Sequence, residues 1–336
     1  MECDMESKSI EELDKLEILR KNYIAVRHPR MKRILRIQAS IGRAIREYLD
    51  GRGFIELLPP IIGPATDPGI RGARQVSFDY YGMRYKVMSS AILYKQMLVA
   101  SLGKIYFFSP NIRLEPLETA DTGRHLCEFV QVDLEVAHAT YHDVMDVAEG
   151  LLYHVCRRVL EWHREDLEAL GRTLRIPKRP FRKLTYDEAL ELLKENGYTV
   201  KYGEEIPWDA EEALSAMFEE PFFVYDYPMT ARGFYDREDP ERPGILRDFD
   251  MMYPEGYGEA VSGAEREYTV DKVLERMERM GENPEEYRWY IEMLRYGVPP
   301  SAGFGIGVER LTRYICGLRA VWEARPYPKV PGIYSP

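Results

Sequence analysis

The sequence predicts an α+β fold in which helices flank a largely antiparallel sheet. Strand-like and helical segments follow one another without the regular strand–helix alternation of a parallel α/β fold. Segment 128–137 alternates Val130, Val132 and Leu134 with polar or aromatic residues, which is the pattern of a strand with one buried face. With 336 residues, 45% hydrophobic and 30% charged, the chain is long enough to bury a large core.

The N-terminal part is predicted to be helical. Residues 1–28 read as an extension whose leucines and isoleucine recur at helical spacing: Ile10, Leu13, Leu16 and Leu19. A long helix over 29–50 has an apolar stripe and ends at Gly51-Arg52-Gly53. A strand over 54–58 follows, and Pro59-Pro60 stop it.

The remaining chain, 29–336, is predicted to form one domain, of a size typical of a catalytic domain. We predict strands over 84–88, 104–108, 128–137, 222–227 and 248–252, and helices over 92–101, 140–170, 186–196, 270–279, 284–296 and 309–318. Residues 178–220, which contain the helix over 186–196, are predicted to form a small insertion.

The composition excludes several classes of protein. No apolar run reaches the length of a membrane span and the N-terminus is acidic, so a cytoplasmic protein is expected. Cys3, Cys127, Cys156 and Cys316 have no paired spacing, which argues against a zinc site or a disulfide framework. The net charge of −10 disfavours nucleic acid as an obligatory partner. Scarce Asn and Gln beside abundant Glu, Lys and Arg are typical of a thermophile.

A glycine-rich segment near the C-terminus is the first candidate for a nucleotide site. Gly303, Gly305 and Gly307 alone could equally indicate a close helix–strand contact. Glu309-Arg310 follow directly, which places Arg310 near a helix N-terminus, where it can meet a phosphate or an adenine. Glu309 could instead offset the helix dipole.

A second candidate lies before and within the 128–137 strand. Arg113 and Glu115, read as strand residues, would share a face, where Arg113 suits a phosphate and Glu115 an adenine amino group; a cross-strand ion pair is the alternative. Arg124 and His125 lie in the loop that leads into Phe129, and Phe129 can stack on a base.

These motifs resemble the catalytic domain of class II aminoacyl-tRNA synthetases, in particular the aspartyl/asparaginyl branch. The long helix, strand and Pro59-Pro60 resemble the family's first motif, residues 111–135 its second and 303–311 its third. The resemblance implies a class II synthetase-like antiparallel sheet flanked by helices. It also implies a homodimer formed through the long helix and the following strand.

The resemblance implies roles for the polar residues around ATP. Arg113 would hold the α-phosphate, Glu115 the adenine amino group, and Phe129 and Arg310 the two faces of the adenine. Arg124 and His125 would meet the outer phosphates, and Gly303, Gly305 and Gly307 would line the nucleotide. Glu259 and Ser262 match the family's Mg²⁺ ligands, with Asp250 as a further candidate.

The amino-acid pocket resembles the aspartyl version. Lys95 and Asp133 stand where aspartyl enzymes keep a lysine and its supporting acid, and Arg266 matches the arginine that grips the substrate carboxylate. Ser90 lies in the same helix segment. With Arg113 and Arg310, Arg266 completes the set predicted to act in catalysis. A solvated helix residue is the alternative for Lys95.

Two departures from the branch affect the predicted acceptor. Ile92 stands where aspartyl enzymes carry a glutamine that binds the substrate amino group, and about 28 residues precede the first motif, where the family has an anticodon-binding barrel. Together they resemble the archaeal asparagine synthetases related to aspartyl-tRNA synthetase. The expectation is therefore an AMP-forming aspartate–ammonia ligase that uses ATP, Mg²⁺, aspartate and free ammonia, without tRNA as an obligatory partner.

Two alternatives remain open at this point. The chain could activate aspartate and transfer it to tRNA or another macromolecule, or it could be a regulatory paralogue without turnover. The intact set Arg113, Glu115, Glu259, Ser262 and Arg310 argues against the regulatory alternative. Asp67, Asp133 and Glu135 are candidates for the base that deprotonates ammonium.

Overall fold

The computed structural model describes residues 15–70 and 72–336, so most of the predicted N-terminal helix lies outside it. Its centre is an eight-stranded sheet. In spatial order the strands are β1 (Ile55–Glu56), β5 (Lys104–Ile112), β6 (Glu128–Ala137), β11 (Ser301–Gly307), β10 (Gly258–Glu265), β9 (Asp248–Tyr253), β8 (Phe222–Tyr225) and β7 (Arg182–Thr185).

The sheet is antiparallel except at its two edges. β1 pairs with β5, and β7 with β8, in parallel; the pairs between them are antiparallel. A small second sheet, in the order β2-β4-β3, is built from β2 (Ile62–Gly63), β3 (Ser77–Tyr80) and β4 (Met83–Val87). The predicted α+β class with a largely antiparallel sheet is confirmed.

Helices cover both faces of the large sheet. They are α1 (Lys15–Arg20), α2 (Asn22–Ala25), α3 (Pro29–Asp50), α4 (Ile92–Leu102), α5 (Tyr141–Ala169), α6 (Tyr186–Glu195), α7 (Trp208–Ala216), α8 (Val270–Met280), α9 (Arg288–Tyr296) and α10 (Val308–Cys316). Local sequence explains their ends. Pro29 begins α3, and Thr140 and Asp143 form a reciprocal capping box at the start of α5.

The main core lies on one face of the sheet, under α3, α5 and α10. There Val132 and Leu134 of β6 pack with Phe304 and Ile306 of β11. Because side chains alternate along a strand, the polar residues of β6 lie on the opposite face. That arrangement separates the apolar core from a polar floor made by the same strands.

Segment 178–220 extends the sheet and packs as a unit of its own. β7 forms the sheet edge beside β8, and α6 and α7 enclose a separate apolar cluster that includes Leu193, Leu214 and Met252. α7 and β7 are absent from our sequence-based assignment, because both are short and polar at many positions.

Several boundaries differ from the sequence-based assignment for physical reasons. β1 covers only Ile55–Glu56 of the predicted strand over 54–58, because its regular pairing with β5 is limited to these two residues. The glycine-rich segment is itself a central strand, β11, and the polar segment before Arg266 is β10. Within residues 15–70 and 72–336, no helix combines the length and apolar character needed to cross a bilayer.

Candidate active site

A cleft of about 1000 Å³ opens on the polar face of the large sheet. All but two of the residues predicted from the sequence to form a site line it: Ser90, Lys95, Arg113, Glu115, Arg124, His125, Phe129, Asp133, Glu259, Ser262, Arg266, Gly305, Gly307 and Arg310. Gly303 and Asp250 are not on its wall. The structure therefore brings residues from distant parts of the sequence into one cleft.

Arg113 and Glu115 lie just beyond β5, which ends at Ile112, so the prediction that they are strand residues is wrong. The Arg113 N–H donates to the carbonyl of Cys127, and its side-chain Nε donates to the Ser89 carbonyl at 3.1 Å. Its guanidinium carbon lies 5.2 Å from the centre of the Phe129 ring. The turn therefore presents an arginine and an aromatic ring side by side.

Glu115 is half-buried at this end of the cleft. Burial raises the pKa of its carboxyl group, and the charges of Arg113 and Arg310 act in the opposite direction. A carboxylate held between two arginines can accept a hydrogen bond from an amino group of a bound base.

A bulge in β10 brings Glu259 and Ser262 to the same face of the sheet. Residues three apart normally face opposite sides of a strand, but the pairing with β9 shifts between Glu259 and Val261. The Glu259 carboxylate lies 3.4 Å from the guanidinium of Arg310. Two oxygen donors and an arginine thus share the floor of the cleft.

Asp250 is the register partner of Ser262 on β9, but it does not line the cleft. It is buried on β9, and its Oδ2 accepts from Arg232 at 2.6 Å. Among the described residues, no group of three or more His, Cys, Asp or Glu side chains is arranged to hold a metal ion. Glu259 and Ser262 supply oxygen ligands of the kind that Mg²⁺ prefers, so further ligands would have to come from a bound nucleotide or water.

Arg124 and His125 lie against α7. Arg124 is 5% exposed and donates to the Glu211 carboxylate at 2.6 Å and to the Trp208 carbonyl at 2.8 Å. The ring of His125 lies 4.2 Å from that of Trp208. Trp208 and Glu211 were not identified from the sequence, because α7 was not predicted.

Lys95 lies at the other end of the cleft and is 1% exposed, so the alternative of a solvated helix residue is wrong. Its Nζ donates to Asp133 Oδ1 at 3.1 Å and to the Phe304 carbonyl at 3.2 Å. Glu135 Oε2 lies 3.9 Å away. Ser90 lines the cleft nearby and accepts from the Ile92 N–H at 3.3 Å, at the start of α4.

Arg266 is anchored on every side. Its Nε donates to Glu135 at 3.2 Å, Nη1 to Asp236 at 3.0 Å and Nη2 to the Gly303 carbonyl at 2.9 Å. Burial raises the pKa of the Asp236 carboxyl group, and the positive charge of Arg266 opposes that rise. Asp236 is a site residue that the sequence did not reveal, whereas Glu135 lies on the polar face of β6 with Asp133.

Gly303 has a structural reason to be glycine. A Cβ there would lie 2.0 Å from Glu135 Oε2 and 2.2 Å from the Leu134 carbonyl. The missing side chain therefore gives Glu135 the space in which it holds Arg266. Glu309 is likewise structural in its contacts: it accepts from the Val130 N–H at 3.1 Å and forms an ion pair with Arg325.

Comparison with known proteins places this cleft in a family. A family model described as tRNA synthetases class II (D, K and N) matches residues 14–331. The asparagine–tRNA ligase of Pyrococcus abyssi is 34% identical over 94% of this chain and 72% of that protein. The aspartate–tRNA(Asp/Asn) ligase of Methanopyrus kandleri is 39% identical over 88% of this chain and 67% of that protein.

Solved structures agree with the sequence relatives. The asparaginyl-tRNA synthetase of Pyrococcus horikoshii, crystallised with asparaginyl-adenylate, has a TM-score of 0.90 and 33% identity, covering 97% of this chain and 75% of that one. An asparaginyl-tRNA synthetase of Entamoeba histolytica, also with asparaginyl-adenylate, has a TM-score of 0.88 and 26% identity, covering 99% and 75%. The chain belongs to the class II tRNA synthetases of the D, K and N type.

Proposed function

We propose that this chain is a ligase that activates L-aspartate with ATP as an enzyme-bound aspartyl-adenylate. The family supports a ligase that forms an aminoacyl-adenylate. The observation that carries the choice of aspartate is the buried Lys95 at the floor of the cleft. Burying an ammonium group costs free energy unless the group is paired and hydrogen-bonded. We therefore infer that Lys95 is a cation that binds a carboxylate.

Lys95 keeps one hydrogen-bond donor for a substrate. An ammonium group has three N–H bonds, and Asp133 and the Phe304 carbonyl take two of them. The remaining N–H suits a carboxylate oxygen of aspartate. Asp133 Oδ2 is buried without a hydrogen-bond partner among the described residues, and it is the acceptor that we assign to the substrate ammonium group.

The charges around Arg266 also favour an amino acid. Lys95 and Arg266 face the three carboxylates of Asp133, Glu135 and Asp236 through contacts of 3.9 Å or less. The ammonium group of an amino acid would offset the excess carboxylate of this cluster, and its carboxylates could pair with the two cations. Arg266 would then share its guanidinium between these supporting acids and one substrate carboxylate.

ATP would occupy the arginine-rich end of the cleft. Arg113 would hold the α-phosphate, Glu115 the adenine amino group, and Phe129 with Arg310 the adenine ring. Glu259 and Ser262 would hold Mg²⁺, which supplies positive charge to the phosphate oxygens. The arginines stabilise the negative charge that develops on the α-phosphate when the aspartate carboxylate attacks it and pyrophosphate leaves.

For the acceptor, the relatives favour tRNA. The proteins of Pyrococcus abyssi and Methanopyrus kandleri are named as tRNA ligases, and the chain covers most of each. In this reaction a ribose hydroxyl attacks the α-carbonyl of the adenylate, AMP leaves and an aspartyl ester forms. The earlier expectation that tRNA is not a partner has no support from these relatives.

Ammonia is a second candidate acceptor, and Ile92 favours it. Ile92 is 5% exposed and lines the cleft between Ser90 and Lys95. An apolar side chain there offers no hydrogen bond to the amino group in the usual orientation of the substrate. If aspartate is reversed, its β-carboxylate forms the adenylate, ammonia attacks that carbonyl, and AMP and asparagine are released.

We also propose that the chain forms a homodimer through the region around α3 and β1. Large apolar side chains are exposed directly after β1 and on the small sheet, including Leu58, Ile61, Tyr80, Tyr81 and Met83. Exposed apolar patches of this kind mark protein interfaces. Sedimentation equilibrium of the wild type and of Leu58→Asp tests the assignment; a monomeric wild type would contradict it.

One incubation separates the two acceptors. Purified protein is given aspartate, ATP, Mg²⁺ and ammonium, with and without tRNA, and free asparagine and esterified tRNA are measured. Aspartate-dependent pyrophosphate exchange measures activation alone. Exchange by the wild type and none by Arg113→Ala is the expected result, and near-normal exchange in Arg113→Ala would refute the proposed site.

A further inference from the structure

Two consecutive residues of the loop between β5 and β6 are held by the first turn of α7. Arg124 donates to the carboxylate of Glu211 and to the carbonyl of Trp208, at 2.6 and 2.8 Å. His125 packs against the Trp208 ring, and its Nδ1 lies 2.8 Å from the Thr122 hydroxyl. Segment 178–220 thus forms a wall of the cleft through α7.

The third side of Arg124 is closed by β10. Gly258 has a φ of +73°, and a Cβ at this position would lie 2.6 Å from Arg124 Nη2. Because Gly258 carries no side chain, the guanidinium fits between β10 and α7. Its direction is therefore set by contacts on two elements that are distant in the sequence.

The charge of Arg124 also needs a local counter-charge. Arg124 and Glu211 are 5% and 3% exposed, so their ion pair is shielded from water. Burial is the main cause that lowers the pKa of Arg313, and repulsion by the positive charge of Arg124 lowers it further. An arginine buried beside another arginine is unfavourable unless an acid compensates it.

We propose that Glu211 is a positioning residue for the outer phosphates of ATP, acting through Arg124. The proposal rests on the nucleotide role that we propose for Arg124. Glu211 keeps the guanidinium buried and aimed while the cleft is empty, so that ATP meets an arginine that is already in place. Preorganised donors of this kind bind without the cost of ordering them during association.

The test compares Glu211→Ala with Glu211→Gln. ATP–Mg binding to the purified chain is measured by titration calorimetry without amino acid, and KM values for ATP, pyrophosphate and aspartate are measured by exchange. Glu211→Ala should weaken ATP and pyrophosphate about tenfold to a hundredfold, since a displacement of a phosphate donor by about 1 Å has effects of this size. The KM for aspartate should stay within about threefold of the wild type.

Glu211→Gln should restore most of the ATP affinity, because the amide oxygen can still accept from Arg124. Glu149→Ala is the matched structural control. Glu149 is a buried acid that pairs with Arg179 at 2.6 Å and accepts from the Phe181 N–H, and it does not line the cleft. This variant should lose stability without a selective change in the KM for ATP.

A double variant identifies the route of the effect. In the Arg124→Ala background, Glu211→Ala should cause no further loss of ATP affinity, because its partner is gone. Losses that simply add, or unchanged or tighter ATP binding by Glu211→Ala alone, would overturn the positioning role. A wild type that binds no ATP would overturn the proposed nucleotide site and this proposal with it, which is a distinguishable result.

Discussion

Replacing Lys95 by methionine isolates the charge that we propose selects aspartate. Lys95 is 1% exposed, and its Nζ lies 3.1 Å from Asp133 Oδ1 and 3.2 Å from the Phe304 carbonyl. Methionine has a similar length and fills irregular space in a core, so the substitution removes the charge and leaves most of the packing.

The structure gives two magnitudes for this substitution. Removing one partner of a buried ion pair costs ~3–5 kcal/mol of stability, because the other charge is left uncompensated. Asp133 would be that charge, with Glu135 also near. A hydrogen bond to a charged group contributes ~1.5–3 kcal/mol, which corresponds to about a 10- to 150-fold loss of kcat/KM for aspartate.

Combining Lys95→Met with Asp133→Leu separates stability from selection. With both charges removed, most of the lost stability should return, since replacing a buried pair by apolar residues is often neutral. Aspartate activation should not return, because the cation and the ammonium acceptor are both absent. Urea unfolding gives the stability, and pyrophosphate exchange over a range of aspartate concentrations gives kcat/KM.

The matched comparison is with asparagine, which lacks the second carboxylate. Lys95→Met should lose exchange with aspartate and thereby reduce the preference for aspartate over asparagine. A variant that folds and keeps kcat/KM for aspartate within about twofold of the wild type would refute the reasoning, because a contributing charged hydrogen bond is worth more than that.

Three further predictions follow from individual side chains. Phe129→Ala should raise the KM for ATP about 5- to 150-fold, since stacking on a base contributes ~1–3 kcal/mol; an unchanged KM would exclude stacking. Gly303→Ala should destabilise the fold by ~1–3 kcal/mol or more in urea unfolding, because its Cβ would meet Glu135 at 2.0 Å, whereas Gly307→Ala, whose nearest contact is at 3.7 Å, should cost less. Burial raises the pKa of the Asp248 carboxyl group from 3.8 to about 7. Protonation of this group therefore stabilises the fold, and the stabilisation is fully present below about pH 4 and is lost as the pH rises through 7. Asp248→Asn should remove this contribution of about 4 kcal/mol from the pH dependence of unfolding between pH 4 and 8, and identical pH profiles would contradict it.

The polar floor could be predicted because one strand carries a strong pattern. In β6, Val132 and Leu134 face the core, so Asp133 had to face the other side, and the structure places it there. The predicted helix over 92–101 contains Lys95. The burial of Lys95 against Asp133 depends on how α4 crosses the sheet, and hydrophobic periodicity does not specify that crossing.

Long-range geometry explains what the sequence did not reveal. Gly303 was predicted to contact the nucleotide, whereas it lies beneath Glu135. This contact joins neighbouring strands, and local sequence patterns do not encode it. Asp250 stays a predicted metal ligand; it lies opposite Ser262 in the sheet, but Arg232 donates to its Oδ2 and it is not on the cleft wall. Short polar elements such as α7 have little amphipathic signal, so Glu211 was missed as well.

The two ends of the cleft differ in charge, and that difference orients the substrates. At one end, Lys95 and Arg266 are outnumbered by the carboxylates that hold them, which suits an ammonium-bearing amino acid. At the other end, Arg113, Arg124 and Arg310 line the part of the cleft that we propose for ATP. In the proposed reaction, ATP would bind with its phosphates toward the arginines, and the amino acid would bind with its ammonium group toward Asp133. The attacking carboxylate must then lie between the two ends, beside Arg113, which is the position that adenylate formation requires.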